Sequence, residues 1–199
     1  RMAEEERGAR GRALRVRGLR QRWIVTSIMP ILILLGLLVT LFSAGISTYY
    51  YGIMRDGLEK QATAEAGAFN DYFMDNGYTE YLQRAIQSTT SFTDKDRIEL
   101  QFINSAGRIQ VSSTSSLKTG LKPGTEEISQ AITQKETKVF QGQDPETGES
   151  IMAVSAPLIY SGKVVGVLRL VTSLRAVNRQ ILIAVAAIFL VAGICMTMV

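Results

Sequence analysis

The chain has 199 residues and a net charge of +4 at pH 7, and 46% of its residues are hydrophobic. It contains no histidine and a single cysteine, Cys195. The commonest general base is therefore missing, and the usual histidine and cysteine nucleophile or metal sites are disfavoured. We expect no catalytic activity, no metal and no cofactor within residues 1–199.

The first apolar segment follows an arginine-rich start. Residues 1–22 hold eight Arg and three Glu, a net charge of +5, and residues 23–50 carry no charged side chain. Trp23 and Tyr49–Tyr51 favour the membrane interface, which predicts a transmembrane helix over residues 23–50. A cleavable signal peptide is the alternative, but its apolar region would be only about 7–15 residues long. The charge bias predicts a cytoplasmic tail at residues 1–22, rather than an arm that binds nucleic acid.

A second apolar segment, residues 181–199, carries no charge and includes Cys195. It is long enough to cross a hydrocarbon core of about 30 Å, which predicts a second transmembrane helix. Because the sequence starts at Arg1 and stops inside this segment, we expect it to be the truncated front part of a longer protein. Residues 51–180, with a net charge of −1, are then expected outside the cytoplasmic membrane as one domain.

The outer region begins by continuing the first helix. Apolar residues recur there at helical spacing, namely Met54, Leu58, Ala62, Ala66, Phe69 and Phe73. This predicts a helix to about Asp75 that ends at Asn76-Gly77. The predicted dimer seam is formed by the first four positions, Met54, Leu58, Ala62 and Ala66, and the alternative is that this stripe packs on the chain's own sheet. A second helix is predicted from about residue 79 to residue 88.

The pattern changes to strands after residue 97. Residues 98–102 and 108–112 alternate apolar and polar around NSAG, which predicts a hairpin. Thr125 and the acids after it predict the start of a short helix. Three further strands are predicted in TKVFQ, SIMAVSAPLIY and KVVGVLRLVTSL. The order predicts an α+β fold in which long helices pack on one face of a five-stranded antiparallel sheet.

This layout resembles a known family over roughly residues 52–176. The hairpin QFINSAGRIQVSS and the closing hairpin AVSAPLIYSGKVVGVLRLVTSL, with Pro157, the Gly162 turn and Val164–Val167, are similar to the extracytoplasmic Cache domains of bacterial receptors. The resemblance implies a PAS-like/Cache sheet with a long N-terminal helix, flanked by two transmembrane helices. It indicates a scaffold and names no ligand.

Two spans around one such domain resemble the sensor region of a membrane sensor histidine kinase. This implies a module for extracytoplasmic sensing and transmembrane signalling in a two-component system, a homodimer in the lipid bilayer, and an unknown small-molecule or ion ligand. A response regulator would be reached through output domains beyond residue 199, because residues 1–199 contain no histidine to phosphorylate. A chemoreceptor or a cyclic-dinucleotide enzyme has the same front end. Two alternatives come from other classes of protein. The first is a complete two-pass protein that binds a partner, and the second is a membrane-tethered hydrolase.

Candidate ligand-binding residues follow from their positions in such a domain. Arg169 interrupts the apolar last strand and is predicted to share a face with Val165, Val167 and Val171. If it is buried, it needs a carboxylate from a side chain or a ligand, whereas an arginine on the outer or edge face is the alternative. The other candidates lie near the bend between the helices and near the last hairpin turn, and core or rim positions are their alternative: Tyr78, Tyr81, Arg84 and Tyr160.

Overall fold

The computed structural model describes residues 2–76 and 80–197, with side chains from Pro30 onward except at positions 32, 73–76, 191–192 and 194–197. The elements in chain order are α1 (Met2–Asn76), α2 (Tyr81–Ser91), β1 (Ile98–Asn104), β2 (Ile109–Ser112), α3 (Glu126–Gln134), β3 (Lys138–Gln143), β4 (Ser150–Tyr160), β5 (Lys163–Ser173) and α4 (Arg175–Thr197). A short 3-10 turn, Ser116–Lys118, lies between β2 and α3. The predicted order of elements is confirmed. The predicted helix end at Gly77 and the candidate Tyr78 lie outside the described residues.

The chain divides into two compact units. The first comprises Arg1–Ser47 and Ala184–Val199, and the second comprises Thr48–Ile183. The stretch Ile33–Tyr72 of α1 contains an 18-residue window of mean hydropathy 1.7, long and apolar enough to cross a membrane. A signal sequence near the N-terminus meets the same length and hydropathy criteria. Several large apolar side chains of α1 in the first unit are exposed to between 42% and 65%, and the highest values belong to Ile33, Leu34, Leu41 and Phe42.

The second unit is built on one antiparallel sheet with the strand order β2-β1-β5-β4-β3. The last strand in sequence, β5, is therefore the central strand, and it pairs with β1 over Gly166–Thr172 and with β4 between Lys163 and Ser173. Only Leu174, which is buried, separates the end of β5 from the start of α4. The five-stranded sheet predicted from the sequence is confirmed.

Helices α1 and α2 cover one face of this sheet. The buried cluster on this face draws on α1, α2, β1, β4 and β5 and consists of Leu58, Ala62, Ala66, Phe69, Tyr81, Ala85, Leu100, Phe102, Val154, Ala156, Leu158, Leu168 and Leu170. The rings of Phe69 and Phe102 are tilted against each other with their centroids 4.8 Å apart. Alternate residues of each strand point to this face, since successive side chains of a strand lie on opposite sides.

The residues of the predicted dimer seam lie on this buried face, so the prediction that they contact a second chain is corrected. Leu58, Ala62 and Ala66 are at most 5% exposed within their own chain, and Met54 packs against the same cluster. These side chains face the sheet, which is the alternative that the helical stripe left open. A second protein chain therefore cannot contact the three buried residues without opening the core.

Helix α3 covers the opposite face. Its Ile128 and Ala131 pack on Ile103 of β1 and Val167 of β5, which are all buried. Arg169 lies on this face two residues after Val167. Val165, predicted to share the same face, packs instead against the cluster under α1 and α2. The reason is a register shift between Leu158 and Ile159, which leaves Val165 without a directly paired residue on β4.

A substitution at Gly166 tests the tight contact between β5 and β1. A Cβ atom at this position would lie 2.3 Å from the backbone oxygen of Ile103, so Gly166→Ala has to displace backbone. We expect the variant to lower the free energy of unfolding by about 1–3 kcal/mol. The measurement is urea unfolding of the full chain in detergent micelles, followed by near-ultraviolet circular dichroism. Gly57→Ala in α1 is the matched control, because its added methyl group meets open space and alanine favours a helix. Equal unfolding midpoints for the two variants would contradict the close approach.

Candidate functional site

Three polar side chains lie side by side on the sheet face that α3 covers. Gln101 of β1 and Ser155 of β4 are the partners of Arg169 in the register of the sheet, one on each side of β5. Directly opposite residues in antiparallel strands have Cβ atoms about 4.5–5.5 Å apart, so their side chains are neighbours. All three residues are at most 3% exposed. The centre of this face is therefore polar and closed to solvent.

Helix α3 supplies the negative charge that this centre requires. Arg169 Nε donates to Glu127 Oε1 at 2.8 Å, and Glu127 is fully buried in the first turn of the helix. A carboxylate is favoured there by the partial positive charge at a helix N-terminus. Arg169 is buried rather than at an outer or edge face, so that alternative is wrong, and the carboxylate it needs comes from its own chain.

Two neutral groups complete the contacts of the guanidinium. Arg169 Nη1 donates to Gln101 Oε1 at 2.9 Å, and Nη2 donates to Thr125 Oγ1 at 3.0 Å. The Thr125 hydroxyl in turn donates to Glu127 Oε1 at 2.8 Å. Thr125 precedes α3 at the N-cap position, as predicted, but its side chain makes no capping hydrogen bond. Its hydroxyl serves the ion pair instead.

The contacts continue from this centre to the surface through Glu99 of β1. Gln101 Nε2 and Ser112 Oγ donate to Glu99 Oε1, and Lys118 Nζ donates to Glu99 Oε2 at 2.7 Å. Partial burial raises the pKa of the Glu99 carboxyl, but hydrogen bonds from Lys118, Gln101 and Ser112 and the charge of Lys118 outweigh it. The net pKa lies below the ordinary value of 4.5. We call these seven residues the buried polar network: Glu99, Gln101, Ser112, Lys118, Thr125, Glu127 and Arg169.

A cavity of about 360 Å³ adjoins the buried polar network at Thr125. It lies between the β1–β2 turn and α3, and its wall combines hydroxyl groups with apolar side chains and one lysine. The lining residues are Ser105, Ala106, Gly107, Lys122, Gly124, Thr125, Ile128, Ser129, Ile132 and Thr133. Its size suits a small organic molecule. Among the residues that the structure describes, no group of three or more His, Cys, Asp or Glu is placed to hold a metal ion.

The other predicted ligand residues do not join Arg169. Tyr81 is buried on the opposite face of the sheet, with its ring centroid 6.1 Å from that of Phe102. Tyr160 is half-buried and packs against the same cluster. Arg84 is exposed on α2 with its guanidinium carbon 5.4 Å from the centroid of the Tyr72 ring. The sheet itself separates Tyr81 and Tyr160 from Arg169, so the described candidates do not form one pocket.

The partners of Arg169 are not among the site residues predicted from the sequence. Glu127 was interpreted only as an acid favouring the start of a helix, and Glu99 and Gln101 as the polar side of an alternating strand. A usable signal was present, since Glu127 and Ala131 are four residues apart and so lie on one face of α3. A carboxylate on the apolar face of a short helix indicates a buried cation elsewhere.

No family model and no curated protein matches the chain. Among solved structures, the chain is similar to the sensor domain of the V. cholerae histidine kinase DctB. The TM-score is 0.51 and the sequence identity is 12%, and the match covers 71% of this chain and 58% of the DctB chain. It also matches the ligand-binding domain of the Pseudomonas aeruginosa amino acid chemoreceptor PctC in complex with GABA, with a TM-score of 0.45, 19% identity and coverage of 77% and 62%. For the E. coli DcuS sensor domain the TM-score is 0.42 and the identity 18%, with coverage of 65% and 98%.

The likeness to the DctB sensor domain shows the fold. A long N-terminal helix, a five-stranded antiparallel sheet and a short helix on the second face together form the Cache/PAS-like fold of receptor sensor domains. The resemblance seen in the sequence is thereby confirmed. The chain spans a little over half of the DctB structure, 58% of its length.

The ion pair of Arg169 and Glu127 gives a prediction for stability. We expect Arg169→Met to lower the free energy of unfolding by about 3–5 kcal/mol, because it leaves the Glu127 carboxylate buried without a cation. In the double variant Arg169→Met/Glu127→Met no charge remains buried, so more than half of that loss should be recovered. Urea unfolding of the four proteins in the cycle measures both effects. If the double variant lost as much free energy of unfolding as the two single variants together, the two charges would not depend on each other.

The carboxyl of Glu99 gives a prediction for pH dependence. A pKa below the ordinary value means that Glu99 stabilises the folded domain above about pH 4.5, and that this stability is lost as the pH falls through the lowered pKa. Lys118→Met should therefore reduce stability at pH 7, and its difference from the wild type should shrink on acidification. Thermal unfolding between pH 7 and pH 3 tests this, with Lys122→Met as the control for the loss of one exposed positive charge. A difference that is unchanged by pH would contradict the Glu99–Lys118 pair.

Proposed function

We propose that the chain is the sensor region of a bacterial membrane receptor. Residues 51–180 would lie outside the cytoplasmic membrane, between transmembrane helices at residues 23–50 and 181–199, with the basic tail, residues 1–22, in the cytoplasm. The exposed apolar side chains of α1 in the first unit and those of α4, such as Leu182 and Leu190, support lipid as their surroundings. The net charges of +5 before residue 23 and −1 between the helices support the orientation.

One observation carries the sensing role: β5 contributes Arg169 to the buried polar network, and β5 leads through one residue into α4. A ligand that binds beside α3 unequally in two packings would shift Arg169 and hence the strand that precedes the exit helix. The cavity at Thr125 offers a place for such a ligand. The candidate ligand-binding residue of this proposal is Arg169, and Tyr81 and Tyr160 support the sheet from the other face.

A sensor histidine kinase is the proposed output, with a response regulator as the next partner. The fold shared with the DctB sensor domain supports this choice, and a chemoreceptor or a cyclic-dinucleotide enzyme is the alternative. A homodimer belongs to the same proposal. Because Leu58, Ala62 and Ala66 are buried in their own core, a dimer contact along α1 would use exposed positions such as Lys60 and Ala64.

A chimeric receptor tests the proposed function. Residues 1–199 are fused to the cytoplasmic region of a characterised histidine kinase, and transcription of its target gene is measured against a panel of amino acids, organic acids, amides and polyols. We expect at least one membrane-impermeant compound to change the output from outside the cell. A one-residue alanine insertion after Arg179 is the control, because rotating α4 should change the output without any ligand. A chimera that responds to the insertion and to none of the compounds would contradict ligand sensing.

A further inference from the structure

Helices α1 and α4 are joined by a hydrogen bond between side chains. The Tyr51 hydroxyl of α1 donates to Asn178 Oδ1 of α4, across 127 residues of sequence. Both residues belong to the unit Thr48–Ile183 and lie close to its two ends. Tyr51 comes directly after the predicted transmembrane segment 23–50, and Asn178 precedes the predicted segment 181–199 by three residues. The contact therefore links the two helices where each of them leaves the domain.

Asn70 attaches α1 to the far end of β4. Its Oδ1 accepts a hydrogen bond from the backbone N–H of Ile159 at 2.7 Å. Ile159 lies at the register shift between β4 and β5, where the regular pairing of the strands is interrupted. The apolar contacts of α1 with the sheet, such as those of Ala62 and Ala66, have no preferred direction, whereas a hydrogen bond requires a defined position. Asn70 therefore fixes α1 along its axis relative to β4.

The start of α4 follows β5 instead. Leu174, the one residue between β5 and α4, is buried, and its backbone N–H donates to the carbonyl oxygen of Ser150 at 2.8 Å. A displacement of β5 is therefore passed directly to α4, while Asn70 keeps α1 with β4. Helix shifts of about 1–2 Å are typical of switching proteins, and a hydrogen bond is lost when its two atoms separate by about 1 Å more than normal. A relative shift of this size is enough to break the Tyr51–Asn178 hydrogen bond.

We propose that the Tyr51–Asn178 hydrogen bond is a latch, which holds α1 and α4 in one relative position and opens when β5 displaces α4. The inference rests on the proposed sensing function and adds the contact that sets the output in the absence of ligand. Energy spent on opening the latch has to come from the difference in ligand affinity between the two packings. Removal of the latch therefore shifts the output before any ligand is added.

A distance measurement between the two helices tests the latch without any output domain. Spin labels are attached to Asp56→Cys on α1 and Arg179→Cys on α4 in a Cys195→Ser background, because positions 56 and 179 are exposed. Pulsed electron paramagnetic resonance of the full chain in lipid nanodiscs, diluted with unlabelled protein, gives the distance distribution. We expect Tyr51→Phe, which removes only the hydroxyl, to broaden this distribution or to shift its maximum by about 1–2 Å. Tyr50→Phe is the matched control, because Tyr50 is exposed on the same helix.

Substitutions at Asn178 separate the hydrogen bond from the shape of the side chain. Asn178→Leu removes the acceptor and should give the same distance distribution as Tyr51→Phe. Asn178→Asp keeps an acceptor oxygen at nearly the same place, so it should retain the distribution of the wild type. The double variant Tyr51→Phe/Asn178→Leu should resemble either single variant, because both remove the same contact.

The chimeric receptor supplies the functional part of the test. We expect Tyr51→Phe and Asn178→Leu to change the ligand-free output in the same direction by about two- to tenfold, the range that the net contribution of one hydrogen bond supports. The double variant should change the output no further, and Tyr50→Phe and Asn178→Asp should leave it near the value of the wild type. Rescue by Asn178→Asp is a result that a general loss of folding would not give.

The inference is overturned if Tyr51→Phe leaves the distance distribution as it is in Tyr50→Phe. It is equally overturned if the distances change but the ligand-free output does not, or if the effects of Tyr51→Phe and Asn178→Leu on the output add. These results leave intact any response of the chimera to compounds from outside the cell. A chimera that responds to the alanine insertion and to none of the compounds contradicts ligand sensing instead, so the two failures are distinguishable.

Discussion

A guanidinium enclosed in the domain interior is the constraint on which the second face of the sheet depends. Arg169 lies on the central strand, where water cannot reach it, so a carboxylate has to be brought to it. Glu127 provides that carboxylate from the first turn of α3. The position of this nine-residue helix is thus fixed by the ion pair, by the hydroxyl and amide groups that complete it, and by the packing of Ile128 and Ala131 on the sheet.

The two faces of the sheet are stabilised by different forces. Under α1 and α2 the contacts are apolar and depend on the burial of side chains such as Phe69, Tyr81 and Phe102. Under α3 a small apolar cluster borders a charge-balanced polar one. Apolar packing is non-directional, whereas hydrogen bonds require defined geometry, so a small displacement of α3 affects the polar face more strongly. This difference favours the α3 side as the place where a ligand alters the domain.

The order of helices and strands was predictable because each element has its own local pattern. The helical stripe that begins at Met54, the alternation around NSAG and the turn at Gly162 need no information from distant residues. Which way the stripe of α1 faces was not predictable in the same manner, since a dimer partner and a sheet bury apolar residues equally well. Only the assembled sheet places Leu58 and Ala62 in the core.

The polar centre could be predicted only in part for the same reason. The break in the apolar pattern identified Arg169, but its partner lies 42 residues away in sequence and Gln101 lies 68 residues away. A strand with alternating polar residues usually has one solvated face, and β1 departs from this because α3 and the preceding loop cover its polar side. The face of Val165 depends on a one-residue shift in pairing with β4, which an alternating sequence does not reveal.

The position of β5 in the sheet also determines the order in which the domain can fold. The strand made last is inserted between β1 and β4, so the two earlier hairpins, β1–β2 and β3–β4, have no common edge until it arrives. During synthesis from the N-terminus, Glu127 emerges long before Arg169 and stays hydrated until β5 is in place. Closing such distant pairings is slow, because chain entropy is lost before the contacts form. The burial of charge is therefore a late step, and it occurs only when the strand leading to α4 has joined the sheet.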